Sequence, residues 1–224
     1  MGAQYLIHSV PKRRWYVKNF LVPSMVRQGI KRYNIIIYFD SKGLGNRKAF
    51  FDSLRCIDKL SDEWGTWHLQ DDILVAPDFR EKTEKYNKGI VNGFCSNLYD
   101  DKDSVGYVDK IKLWKGFQCI RLPNKLIHDS MVWGEKYIVG NPIYREYWEN
   151  GANDDWIFRQ YLKSSEMTEP VLNLCPNIVE HVDYLLGGST VCNRADRLCS
   201  QYWDYPELVK QLENDVEKFT TNNL

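Results

Sequence analysis

The sequence predicts an α/β protein with an open, mostly parallel mixed sheet flanked by helices, and three stretches carry that expectation. Asn34–Phe39 is a continuous apolar run rich in β-branched residues, the pattern of a central strand covered on both faces. Arg47–Leu60 follows with Phe50, Phe51, Leu54, Ile57 and Leu60 at helical spacing, which gives a helix one apolar stripe to set against a sheet. Trp67–Leu69 then supplies another short apolar strand. Strand, helix and strand in that order build a parallel sheet.

The remaining segments extend the same scheme. Tyr5–Ile7 reads as a first strand that leaves through His8, Ser9, Val10 and Pro11 into the basic Lys12, Arg13 and Arg14 and then a helical segment. Asp40–Gly43 is the turn after the second strand, and Asp71 and Asp72 close the third. Ligands of open α/β sheets bind outside such carboxyl ends. Phe79–Lys88 predicts a charged helix, Gly89–Ser96 a returning strand, and Phe117–Leu122 a strand on the far side of a cleft, ended by Pro123. The polar stretch from Tyr99 to Lys115 holds Asp100, Asp101 and Asp103 without the ligand spacing or closing Glu of a calcium loop, and is expected to be a loop. Asn153–Leu162 predicts a helix capped by Asn153 or Asp154, with Trp156, Ile157, Tyr161 and Leu162 packed inward. Pro176–His181 predicts a strand or extended segment that ends in a histidine, and Pro206 opens a last helix striped by Leu208, Leu212, Val216 and Phe219. With no repeat and no long linker, residues 1–224 are expected to form one domain, the helix at about 206–219 packing on it.

Composition narrows the function classes. Thirty basic and thirty acidic residues cancel, so no global field draws the chain to nucleic acid or to an anionic membrane. Eight Trp and fourteen Tyr exceed what a core of this size needs, so some are expected to line a cleft. Cys56, Cys95, Cys119, Cys175, Cys192 and Cys199 show neither paired nor zinc-like spacing. They read as reduced thiols, and with no apolar run long enough to span a bilayer the expectation is a soluble, cytoplasmic protein.

The chemistry centres on Gln70, Asp71 and Asp72. Two adjacent carboxylates repel, and a partly buried site holding both ionised needs a cation or several hydrogen-bond donors. Hard oxygen ligands suit Mg²⁺ or Mn²⁺, with coordination positions left for a substrate diphosphate. Two solvated turn residues capping the next segment are the plain alternative, so context has to decide. That context is a fixed order along the chain: a strand exit with Ser9 and Arg13, a second exit at Asp40, the Asp71–Asp72 pair, a helix start with Asp154 and Asp155, then His181.

In this order the chain resembles the nucleotide-sugar glycosyltransferases of the GT-A, Rossmann-like fold, in particular the small single-domain members of phage genomes. The resemblance spans about residues 4 to 195 at the level of motifs. It implies that Gln70-Asp71-Asp72 stands for the family's D-x-D motif, departing from it at Gln70. Asp72 would then bind the metal that bridges the donor diphosphate, and Asp71 would reach the ribose or a metal-bound water. His181 would complete the metal shell, and Asp40 would lie where the nucleoside is recognised. Lys12, Arg13, Arg14 and Arg194 are supplementary phosphate contacts under the same resemblance. Asp155 or Asp154 would be the base that deprotonates the acceptor hydroxyl. Trp114, Trp133 and Trp156 could stack on an acceptor sugar or simply pack in the core.

The implied activity is a Mn²⁺- or Mg²⁺-dependent transfer from a nucleotide-diphosphate sugar, a UDP-sugar above all, with inversion favoured. The acceptor could be a glycan, a protein or a modified nucleobase, and a phage-encoded chain would work in the host cytoplasm. Two other classes fit parts of the pattern: a metal-dependent nucleotidyltransferase or phosphohydrolase, and a carbohydrate-binding phage protein without turnover.

Overall fold

The computed structural model describes residues 3–57, 59–94, 107–110, 118–142, 156–165, 170–174, 176–187 and 205–223. The strands are β1 (Gln4–Ser9), β2 (Ile35–Phe39), β3 (Gly65–Gln70), β4 (Ile73–Val75), β5 (Ile90–Asn92), β6 (Tyr107–Lys110), β7 (Cys119–Pro123), β8 (Pro170–Asn173) and β9 (Val179–His181). Seven of them form one open sheet in the order β2-β1-β3-β7-β5-β8-β6. β1 is parallel to β2 and β3, β5 is parallel to β8, and only β7 and β6 run against the rest. The expected mostly parallel mixed sheet is therefore present.

Alternation along the strands sorts the side chains into two cores. Tyr5, Ile7, Trp67 and Leu69 face one side, against Tyr16, Val17, Leu21 and Met25 of the first helical segment and Val209, Leu212 and Val216 of the C-terminal helix Pro206–Asn223. Leu6, Ile120 and Leu122 face the other, against Phe50, Phe51 and Leu54 of helix Asn46–Leu54 and Leu126 and Ile127 of helix Asn124–Trp133. Phe158 and Leu162 of helix Trp156–Ser164 close this second layer. No helix among the described residues is long and apolar enough to cross a membrane.

Three expectations change. β2 is an end strand of the described sheet instead of a central one, because a continuous apolar run reports two covered faces and says nothing of two strand neighbours. β7 does not reach across a cleft but lies between β3 and β5, where Cys119, Ile120, Arg121 and Leu122 are all buried. The polar stretch from Tyr99 to Lys115 contributes the strand β6 at the opposite end of the sheet.

Two histidines, the half-buried His8 and the buried His68, join the sheet to a helix. His8 Nε2 lies 3.3 Å from His68 Nδ1 and His8 Nδ1 lies 2.6 Å from Ser53 Oγ, whose hydroxyl donates to the Phe50 carbonyl. With that hydroxyl proton committed, Ser53 Oγ accepts from His8 Nδ1–H, and His8 Nε2 accepts from His68 Nδ1–H. Both rings are neutral in this chain of bonds. Burial pushes His8 down to about 3, and burial together with His8 pushes His68 well below its ordinary value. In the unfolded chain both take up protons near the ordinary histidine pKa of about 6.5, whereas the folded chain resists. The contribution of the two histidines to stability is therefore full above about pH 6.5 and is lost as pH falls below it, for His8 by about 1.4 kcal/mol per pH unit down toward its folded value of about 3. Urea unfolding between pH 7 and 4.5 is expected to show this slope, and His68→Gln to reduce it; an unchanged slope in the variant would refute the assignment.

Candidate active site

The site forms where β1, β2 and β3 end side by side. Parallel pairing sets Ser9 opposite Phe39 and His8 opposite Gln70, so Ser9, Asp40, Asp71 and Asp72 leave the sheet together. Pro11 starts a 3-10 turn, Pro11–Arg13, whose Arg13 N–H donates to the Val10 carbonyl. This tight turn folds Arg13 back over the strand ends, and its side chain is buried.

Arg13 Nη1 donates to Asp71 Oδ1 at 2.7 Å and to Asp72 Oδ2 at 2.6 Å. The other oxygen of Asp71 accepts from Ser9 Oγ at 2.8 Å and from the Val10 N–H at 3.1 Å. Asp72 is supported differently. His181 Nε2 stands 3.2 Å from its Oδ2, while its Oδ1 is buried with no hydrogen-bond partner among the described residues. Tyr16, fully buried, donates its hydroxyl to the Ile73 carbonyl at 2.8 Å and so fixes the residue next to Asp72.

His181 reaches this place through a small antiparallel ribbon. β4 leaves Asp72 and pairs with β9 in a sheet of its own, Ile73 opposite His181 and Val75 opposite Val179. The Val182 N–H donates to the Asp72 carbonyl at 2.8 Å, which extends the ladder to the carboxylate residue itself. Just beyond, Asp183 opens a 3-10 turn, Asp183–Leu186, and its Oδ1 lies 3.9 Å from His181 Nδ1. Asp72, His181 and Asp183 each offer one ligand atom, all within 4.8 Å of one another, a set able to hold a metal ion.

Electrostatics separates the two aspartates. Burial and the neighbouring Asp72 push the Asp71 carboxyl up, against the downward pull of Arg13 and Ser9. Burial also acts upward on Asp72, yet His181 and Arg13 outweigh it and hold that carboxyl well below its usual range. Arg13 itself is held above its ordinary value, because Asp72 and Asp71 outweigh the cost of burying it. Asp72 is thus the firmly ionised member of the pair.

The structure gathers Ser9, Arg13, Asp71, Asp72 and His181, all read from the sequence, into one network in which Ser9 and Arg13 touch Asp71 and Arg13 and His181 touch Asp72. Asp40 stands at the adjoining edge, where its N–H donates to the Ser9 carbonyl at 2.9 Å and its Oδ1 accepts from the Leu44 N–H at 3.0 Å. Asp154, Asp155, Arg194 and Trp114 lie outside the described residues, although the helix expected after the two acids is present from Trp156. Trp133 packs between Tyr137 and Tyr161 at the second core. Arg14 turns its guanidinium over the Phe39 ring, 5.3 Å from its centre. Cys56 and Cys119 are free thiols.

Sequence reasoning missed Asp183. The only sign was its place two residues after His181, and that spacing brings the acid round only because the chain breaks from β9 into a turn there.

No family model matches the chain, and no curated protein matches it. Among solved structures, A197 from STIV is 12% identical, with a TM-score of 0.45 over 80% of this chain and 85% of that one. The inositol-1-phosphate CTP transferase from T. maritima is 9% identical, with a TM-score of 0.39 over 80% of this chain and 88% of that one. Both likenesses are too distant to transfer a function.

Asp183→Asn is expected to weaken Mn²⁺ binding by about ten- to hundredfold, whether the carboxylate ligates the ion or orients His181. The free Mn²⁺ signal in electron paramagnetic resonance reads this directly, and an unchanged affinity would remove Asp183 from the site.

Proposed function

We propose that this chain is a metal-dependent glycosyltransferase that moves a sugar from a nucleotide-diphosphate sugar, a UDP-sugar, to an acceptor hydroxyl with inversion. The observation that carries this reading is the cluster of Asp72, His181 and Asp183 beside Asp71 and Ser9, at the carboxyl ends of three parallel strands. Ligands of open sheets bind at such an edge. The order of residues along the chain, from Ser9 to His181, adds the resemblance to GT-A enzymes.

The residues fit a divalent cation. Asp72 Oδ1 is buried and lacks a described partner, and two carboxylates with one imidazole form a donor set that suits Mn²⁺. Asp72, His181 and Asp183 would hold the ion, which when bound supplies positive charge for the departing diphosphate. The chain's own residues do the rest. Ser9 and the Val10 N–H keep Asp71 turned toward the strand ends, and Tyr16 keeps the Asp72–Ile73 backbone in place. Asp155 or Asp154 accepts the proton of the attacking hydroxyl as the bond to the anomeric carbon forms.

UDP is expected to stabilise the protein only with Mn²⁺ or Mg²⁺ present, by about 5–10 °C at a hundredfold excess over Kd. Asp72→Asn should abolish this shift. An equal shift in the variant would place the diphosphate elsewhere, and release of pyrophosphate in turnover would favour nucleotidyl transfer.

Asp155→Asn, and less so Asp154→Asn, is expected to lower kcat by about 10²–10⁴-fold while donor affinity stays near that of the parent, since a base acts only as the hydroxyl attacks. Unchanged kcat in both variants would mean that these acids only cap the helix, a role Asn fills equally well.

A further inference from the structure

The buried side of the site already contains a cation. One nitrogen of Arg13 bridges Asp71 Oδ1 at 2.7 Å and Asp72 Oδ2 at 2.6 Å, and that second oxygen also faces His181 Nε2. The two carboxylates depend on Arg13 unequally. Asp71 keeps Ser9 Oγ and the Val10 N–H if the guanidinium withdraws, whereas among the described residues Asp72 keeps only His181, and Asp72 is the acid grouped with His181 and Asp183 in the set able to hold a metal ion. A dication at Asp72, His181 and Asp183 would share a carboxylate with a buried guanidinium, and like charges in a site of low dielectric repel strongly.

We propose that Arg13 is an internal place-holder cation that competes with the divalent ion for Asp72, so that the ion binds tightly only when a nucleotide diphosphate arrives with it. The proposal rests on the assignment of a diphosphate donor. Arg13 keeps the paired acids charged and ordered before loading, then gives up Asp72 and remains on Asp71. Its repulsion weakens binding of the ion alone, and the negative diphosphate offsets that repulsion. The coupling is reciprocal, as any linkage between two ligands must be.

The test is a Mn²⁺ titration of the full chain and of Arg13→Met, with and without UDP, read from the free Mn²⁺ resonance signal. In the parent, UDP is expected to tighten Mn²⁺ binding by about tenfold or more. In Arg13→Met, Mn²⁺ alone should bind about tenfold or more tighter than in the parent, and the gain from UDP should shrink. Tight Mn²⁺ binding by the variant with no effect of UDP on either protein would keep the place-holder role and remove the diphosphate donor. Equal or weaker Mn²⁺ binding by the variant, or no binding by either protein, would overturn the proposal. If Arg13→Met does not fold, Arg13→Met/Asp71→Asn removes one charge of each sign and leaves Asp72 released. This double variant must also bind Mn²⁺ more tightly than the parent, and a failure to do so would refute the role of Arg13.

Discussion

The structure depends on placing two adjacent carboxylates at the edge of a sheet without letting water solvate them. Ionised acids so close cannot be buried unless positive charge and hydrogen-bond donors surround them. The chain meets this need with local geometry on one side, where the Pro11–Arg13 turn supplies a guanidinium and the exit of β1 supplies a hydroxyl and an amide. On the other side it uses distant sequence, since His181 arrives from more than a hundred residues away. The unequal support leaves both oxygens of Asp71 engaged and, among the described residues, one oxygen of Asp72 without a donor. This asymmetry distinguishes the two acids, one fully engaged in the structure and the other with bonding capacity to spare.

The rest of the fold holds that edge still. β1 and β3 carry the site at their ends and the paired histidines within them, so the bonds from His68 through His8 to Ser53 tie the site strands to helix Asn46–Leu54 behind them. On the opposite face Trp67 is sealed against the first helical segment, and Tyr16 of that segment reaches through to the Ile73 carbonyl. The C-terminal helix braces the third side. Tyr184, one residue past Asp183, donates to Glu213, and the Phe219 ring stacks on Trp15 just after the arginine turn.

Much of this is legible in the amino-acid sequence. The Asp71–Asp72 pair could be placed because a short apolar run runs straight into it, and the α/β class followed from the contrast between the Asn34–Phe39 run and the helical stripe after it. Local pattern cannot report which strands become neighbours, so the end position of β2 and the insertion of β7 were hidden. The inward turn of Arg13 was hidden for the same reason. A basic residue after a strand reads as solvated until the acids 58 and 59 positions later fold against it. His181 could be chosen only through resemblance, and Asp183 not at all.

The β4–β9 ribbon has a consequence for how such a chain can diverge. Each strand is three residues long, and the pairing of Ile73 with His181 fixes which way the imidazole points. A single residue inserted into either strand would slip the register and turn His181 to the opposite face. An insertion anywhere between Val75 and Val179 that spares the main sheet leaves the ribbon untouched. The stretches of sequence between the intervening strands can therefore lengthen, shrink or be exchanged over generations while the imidazole and the Asp72 carboxylate stay in register. Variation there would leave the arrangement of Asp72, His181 and Asp183 beneath it intact.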